Sequence, residues 1–158
     1  MRKLSLLLAF AAIACAHSGG SAPKPLADIE LIEHVREDWV ADWNAKRLDD
    51  IMKLYEPDAV FLRPTAPRTT GTPAIRELFE NVLATNTPHI AFHGITLEGS
   101  GNLAYDSGTY DETITTPHGV ITAHGDYLLV FKRQSDGRWR IAAQAWSDAS
   151  NAERSISR

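Results

Sequence analysis

The amino-acid sequence predicts one α+β domain in which helices precede a run of antiparallel strands. Apolar residues recur at helical spacing between residues 28 and 85, and strand-like segments separated by Gly- and Pro-containing turns fill the last third. A chain of 158 residues favours a single domain. The predicted element order is α-α-β-α-β-β-β-β, which is typical of α+β proteins.

Three helices are predicted. Asp28–Lys46 carries one apolar stripe, formed by Ile29, Ile32, Val35, Trp39 and Trp43. Leu48–Tyr55 continues as a second, short helix that Pro57 ends. A third helix begins at Thr72 as N-cap with Pro73 at its first position, because proline is well tolerated there.

One short strand, Ala59–Arg63, is predicted between the second and third helices because it is rich in Val, Phe and Leu. Four further strands are predicted at His89–Glu98, Asn102–Thr116, Val120–Arg133 and Arg138–Ser147. Since short turns separate these four, we expect an antiparallel meander.

The first residues have the form of an export signal. Met1-Arg2-Lys3 is a short positive start, and Leu4–Ala14 is an apolar run that is too short to span a bilayer. The run ends in Ala12-Ile13-Ala14-Cys15, which resembles a bacterial lipobox. The resemblance implies lipidation of Cys15, and ordinary secretion with an incidental cysteine is the alternative.

This interpretation divides the chain into four parts. Residues 1–14 form the signal peptide, 15–26 the lipidated cysteine and a flexible tether, 27–149 the folded domain and 150–158 a disordered tail. The protein is expected in the cell envelope, facing the periplasm. Ala16 rather than Asp after Cys15 favours the outer membrane, by resemblance to a bacterial sorting rule.

Composition and motifs exclude several functions. With 44% hydrophobic and 23% charged residues the chain is typical of a globular protein, and a net charge of −4 without a basic patch argues against nucleic-acid binding. Glycine-rich phosphate loops and zinc-type cysteine pairs do not occur. His89 and His93 share a strand face but lack a third ligand, so neither a metal nor a cofactor is predicted.

Turn chemistry predicts which strand residues share a face. If Pro117-His118-Gly119 and Ser135-Asp136-Gly137 are three-residue loops, Thr116 opposes Val120 and Gln134 opposes Arg138. One face then carries Tyr110, Glu112, His124, Asp126, Gln144 and Trp146. The other carries Tyr127, Leu129, Phe131, Trp139, Ile141, Ala143 and Ala145. The first four would form an exposed apolar patch in a monomer, which predicts a homodimer. A bulge in either hairpin would change both sets.

Several segments between residues 28 and 148 resemble the SnoaL-like and ketosteroid-isomerase-like domains of the nuclear transport factor 2-like superfamily. They include Asp38–Lys46, Leu54–Val60, Gly125–Val130, Asp136–Ile141 and Ala145–Ser147. The resemblance implies a cone in which a bent sheet wraps around the helices, with a pocket at its wide end. It also implies that the residues matching Asp126, Gln144 and Trp146 look into that pocket, and that relatives dimerise through the outer sheet surface.

The predicted pocket face offers one proton-transfer hypothesis. Glu112 can orient His124 as general base or acid, and burial near aromatic rings would raise the pKa of Asp126. The alternative is an exposed cross-strand pair without function. Arg63 stands where the isomerases place their base, which argues against steroid isomerisation and predicts an anion-binding role instead.

Trp39 and Trp43 are interpreted as core residues, with a ligand platform as the alternative. The function favoured is binding of a small, largely apolar ligand by an exported domain that meets the membrane only through its lipid. A cofactor-independent proton-transfer enzyme of isomerase, dehydratase or hydrolase type is the second hypothesis. An assembly or protein-interaction domain is the third, because this fold supports all three.

Overall fold

The computed structural model describes residues 26–149. The helices are α1 (Leu26–Asn44), α2 (Leu48–Lys53) and α3 (Thr72–Thr85). The strands are β1 (Tyr55–Leu62), β2 (Thr69–Thr70), β3 (Thr87–Ser100), β4 (Leu103–Thr116), β5 (Gly119–Arg133) and β6 (Trp139–Trp146). The predicted signal peptide, the lipidated Cys15, most of the tether and the C-terminal tail lie outside the described residues. Within the described part, no helix is long and apolar enough to cross a membrane.

The strands form one six-stranded curved sheet in the order β2-β1-β6-β5-β4-β3. The predicted meander from β3 to β6 is confirmed, since each neighbouring pair is antiparallel. The sheet as a whole is mixed rather than purely antiparallel, because β1 runs parallel to β6. The predicted α+β class, with helices packed inside a bent sheet, is confirmed.

Two element boundaries, the end of α2 and the N-cap of α3, differ from the prediction. α2 ends at Lys53 and β1 begins at Tyr55, because Tyr55 pairs with Ile141 of β6 and the Ile141 amide donates to the Leu54 carbonyl at 2.7 Å. α3 begins at Thr72, so Gly71 is its N-cap residue rather than Thr72.

The core lies between the inner face of the sheet and the apolar stripe of α1. Ile32 and Trp39 of the stripe are buried, as are Tyr127, Leu129 and Phe131 of β5. The expectation of an exposed patch at these β5 residues and at Trp139 is therefore wrong, because all of them belong to the buried core. The homodimer loses this support and stays a prediction.

The β4–β5 hairpin turns one residue earlier than predicted. Thr116 pairs with Gly119 rather than Val120, so the loop has two residues, Pro117 and His118. In this register Glu112 opposes Ala123, not His124.

The β5–β6 hairpin has the predicted loop but a bulge beyond it. The Gln134 amide donates to the Arg138 carbonyl at 2.8 Å, as expected. Further along, Phe131 pairs with Ile141 and Val130 with Ala143, which leaves Ala142 as an extra residue. Trp146 consequently opposes Tyr127 rather than Asp126.

Between β4 and β6 the two one-residue shifts add to two residues, which restores the predicted face, whereas β5 is shifted by one residue and its faces are reversed. Tyr110 and Glu112 therefore share the inner face with Gln144 and Trp146, as predicted, while His124 and Asp126 turn to the outer face.

Candidate functional site

A cavity of about 320 Å³ opens between the helices and the inner face of the sheet. This volume lies at the lower end of the range typical of small-ligand sites. Its walls are largely aromatic and are contributed by Trp39, Trp43, Phe61, Phe79, Tyr110 and Trp146. Trp39 and Trp43 are buried core residues that also line the cavity, so the core interpretation is confirmed and the ligand platform stays a prediction.

The aromatic walls hold one another in place. Trp39 and Trp43 stack with ring centroids 5.5 Å apart and planes 12° from parallel. Phe79 packs edge-on against Trp43 at 5.1 Å, and Tyr110 packs edge-on against Trp146 at 4.5 Å. Such arrangements are the favourable ones for aromatic pairs, so the apolar walls are preorganised.

Glu112 brings a carboxyl group from β4 into this apolar setting. The Trp43 indole Nε1 donates a hydrogen bond of 3.0 Å to its Oε1. Burial raises the pKa of Glu112, because the charged form loses hydration, and the hydrogen bond from Trp43 opposes that shift. The hydrogen bond from Trp43 therefore orients the carboxyl group. Since burial raises its pKa, a ligand that displaces water from the cavity would raise that pKa further.

Arg63 and Trp146 line the cavity from two adjacent strand ends. Arg63 follows β1 and Trp146 ends β6, and the parallel register, in which Leu62 pairs with Ala145, places the two side by side. Among the described side chains, Arg63 Nε and Trp146 Nε1 are buried nitrogens that lack a hydrogen-bond partner. Two residues that each carry an unsatisfied donor thus occupy neighbouring positions on adjacent strands.

Gln144 is buried in the core rather than at the cavity wall. The Tyr55 hydroxyl donates to Gln144 Oε1 and accepts a hydrogen bond of 2.9 Å from Trp39 Nε1. Burial raises the pKa of Tyr55. This buried chain supports Trp39 from behind, although Gln144 Nε2 has no partner within the described structure.

Tyr110 closes one corner of the cavity. Its hydroxyl donates to the Ser147 carbonyl at 3.0 Å, and burial raises the pKa of Tyr110 to about 12. The corner is tight because a Cβ at Gly125 would lie 2.0 Å from the same carbonyl oxygen. Glycine at this position lets the end of β6 approach β5.

His124 and Asp126 do not reach the cavity. His124 opposes Asp111 on the outer face, and Asp126 accepts a hydrogen bond of 3.0 Å from the Ser147 hydroxyl. Both line a separate depression of about 180 Å³. The predicted pairing of His124 with Glu112 is therefore wrong, and so is the placement of Asp126 in an apolar pocket, because the β4–β5 turn is one residue shorter than expected.

Sequence reasoning missed several lining residues. Ala123 of β5 occupies the inner-face position that was assigned to its neighbour His124, and Asp148 lies just beyond β6. Leu78 and Val82 of α3 also line the cavity. The helical spacing of Leu78 and Val82 is typical of a buried helix face, but nothing local distinguishes a cavity wall from a filled core.

The fold and this internal, aromatic-walled cavity define the class of nuclear transport factor 2-like α+β domains. The SnoaL-like domain family matches residues 37–142, and the chain belongs to this family. No curated protein matches the chain.

Solved structures share the fold at low sequence identity. A ketosteroid isomerase-like protein from Erwinia carotovora atroseptica is 19% identical with a TM-score of 0.72, over 78% of this chain and 98% of its own. A conserved protein from Planctomyces limnophilus is 20% identical with a TM-score of 0.73, over 78% and 99%. A proposed dehydratase of the same superfamily from Streptomyces avermitilis is 15% identical with a TM-score of 0.69, over 79% and 98%.

Proposed function

We propose that the domain binds a small, largely apolar, ring-bearing ligand in the cavity between the helices and the sheet. The observation that carries the proposal is the cavity itself, in which preorganised aromatic walls surround very few polar groups. Ligand sites typically combine apolar and aromatic walls with a small number of fixed polar groups. Glu112 and Arg63 supply such groups here.

Binding is favoured over catalysis because the expected acid–base pair is split between the two faces of the sheet. His124 lies outside, so Glu112 has no histidine beside it to relay a proton. The side chain that hydrogen-bonds Glu112 is Trp43, whose indole N–H is a donor that does not titrate.

A cavity-filling variant tests the binding proposal. Ala123→Phe places a ring in the cavity, whereas Thr122→Phe places the same ring on the exposed outer face of the same strand. With 2-naphthalenemethanol as a neutral probe in isothermal titration calorimetry, we expect binding by the parent and by Thr122→Phe, and none by Ala123→Phe. Equal binding by all three would place the site elsewhere and refute the proposal.

Proton transfer by Glu112 alone is the second candidate, because a carboxyl group with a raised pKa in an apolar cavity is suited to general acid–base work. The probe is 2-tetralone in D₂O, whose exchangeable C–H protons are followed by NMR. Protein-dependent exchange that disappears in Glu112→Gln would establish this activity. Exchange equal to that of Glu112→Gln leaves binding as the function of the site.

We further propose that the domain is exported and tethered through a lipid on Cys15. The support is the apolar run followed by Ala12-Ile13-Ala14-Cys15. Expressed with its full leader in a Gram-negative host, the parent protein should partition with the membrane fraction, and Cys15→Ala should not. Parent protein found in the soluble fraction, or without an N-terminal lipid by mass spectrometry, would refute the tether.

A further inference from the structure

Two polar groups that lack a hydrogen-bond partner lie at one corner of the cavity. Two residues with an unpartnered donor, Arg63 (Nε) and Trp146 (Nε1), directly follow the paired residues Leu62 and Ala145 on β1 and β6. A buried donor without an acceptor carries the full cost of its lost hydration. An oxygen acceptor brought in by a ligand would satisfy both groups, so this corner is chemically incomplete without one.

The charges of the lining residues also point to this corner. Arg63 is the only cation among the described lining residues, while Glu112 and Asp148 are the carboxylates. An anionic ligand inside the cavity is repelled by both carboxylates, so it is accommodated beside Arg63. The planar guanidinium group suits a carboxylate in particular, because its donors match two oxygens in one plane.

Glu112 lies away from this corner, on β4. Strands β5 and β6 separate it from β1. It is two strands from Trp146, about 10 Å across the sheet, and its β5 partner Ala123 lies four residues from Tyr127, the β5 partner of Trp146. Aromatic rings flank both polar regions, because Trp43 contacts Glu112 and Tyr110 contacts Trp146. A ligand that reaches both regions is therefore flat and apolar in its middle.

We propose that the ligand of this cavity is a small planar aromatic carboxylic acid. Its carboxylate accepts hydrogen bonds from Arg63 and from Trp146 Nε1, its ring lies between the aromatic walls, and its far edge approaches Glu112. This inference rests on the proposed ligand-binding function and adds the chemical class of the ligand.

The test compares two probes of the same ring and different charge. At pH 7 and in isothermal titration calorimetry, 2-naphthoate should bind the parent domain about tenfold or more tightly than 2-naphthalenemethanol, since charge-assisted hydrogen bonds are the stronger kind. Arg63→Met keeps the apolar stem and removes the guanidinium group. It should abolish the preference while 2-naphthalenemethanol still binds.

Two further variants complete the design. Trp146→Phe keeps a ring and removes the N–H, so it should reduce the preference. Arg68→Met is the matched control, because Arg68 is an exposed arginine of the same loop that does not line the cavity, and it should keep the preference intact.

The outcomes separate the two proposals. Equal binding of both probes by the parent overturns the carboxylate inference and leaves the binding function standing. A preference that survives in both Arg63→Met and Trp146→Phe also overturns it, because the carboxylate is then received elsewhere. Binding of neither probe refutes the proposed function and the inference with it.

Discussion

Two carboxyl groups on the same face of β4 have opposite surroundings. Asp106 and Glu112 are six residues apart, about 20 Å along the strand, and both point to the inside of the sheet. Asp106 is fully buried and accepts hydrogen bonds from Arg36 at 2.9 Å and from the Tyr127 hydroxyl at 3.3 Å. Glu112 has the Trp43 N–H at 3.0 Å and the open cavity.

The difference distinguishes a structural polar cluster from a candidate binding site. Burial raises the pKa of both carboxyl groups, but at Asp106 the charge of Arg36 opposes the shift. The Arg36–Asp106–Tyr127 cluster ties α1 to β4 and β5 with protein partners alone. At the cavity end, unpartnered donors remain on the walls, and these are the positions where a ligand can supply what the protein lacks.

The largest expected effect comes from breaking the Asp106 cluster. Asp106→Ala leaves Arg36 mostly buried without its partner, which should lower the free energy of unfolding by about 3–5 kcal/mol. Chemical denaturation measures this. Asp111→Ala, on the exposed face of the same strand, is the control and should change stability by less than about 0.5 kcal/mol. A small effect of Asp106→Ala would mean that the cluster does not hold α1 to the sheet.

A smaller effect is expected from tightening the corner at the cavity end. Gly125→Ala places a Cβ 2.0 Å from the Ser147 carbonyl oxygen, so the end of β6 must move. Overpacking of this kind costs about 1–3 kcal/mol in thermal or chemical unfolding. Binding of 2-naphthalenemethanol should also weaken, because Tyr110 and Trp146 pack at this corner. The exposed variant Thr122→Ala should alter neither property, and an unchanged stability of Gly125→Ala would contradict the close approach.

The smallest effect is expected from Glu112→Gln, and it depends on pH. The folded-state pKa of Glu112 is raised, so its contribution to stability is fully present below the unfolded value, about 4.3, and is lost as the pH rises through the folded pKa. The stability of Glu112→Gln relative to the parent should therefore increase from pH 4 upward and then level off.

Denaturation curves at several pH values between 4 and 8 measure this difference. Glu80→Gln, an exposed change on α3, should show no such trend. A constant difference between Glu112→Gln and the parent would show that the carboxyl group is well solvated and would remove the contrast with Asp106.

The sequence predicted the elements better than the faces of the strands. The α1 stripe through Trp39 and Trp43 and the meander of β3 to β6 follow from local periodicity and turn residues, and the structure confirms them. The faces on which His124 and Asp126 lie depend on the register of two hairpins, and a shift of one residue moves every side chain of a strand to the other face. Neither the two-residue turn at Pro117-His118 nor the bulge at Ala142 has a decisive local signal.

The prediction that Tyr110, Glu112, Gln144 and Trp146 share one face is correct only because the two register errors add to two residues, which leaves the face unchanged. The sequence predicts Glu112 as the partner of His124, which the fold places on the other face, and it carries no signal for the contact of Glu112 with Trp43. The neighbouring positions of Trp146 and Arg63 also have no local signal, because the parallel pairing of β1 with β6 joins residues more than 80 positions apart.

By itself, the sequence determined the α+β class, the order of helices and strands, and membership of a family, because these depend on composition, local periodicity and ordered motifs. Only the tertiary structure decided which side chains meet. The register of β5, the parallel contact of β1 with β6 and the closeness of Trp43 to Glu112 each arise from packing between distant segments. Those long-range contacts set which polar groups are satisfied within the protein and which remain for a ligand.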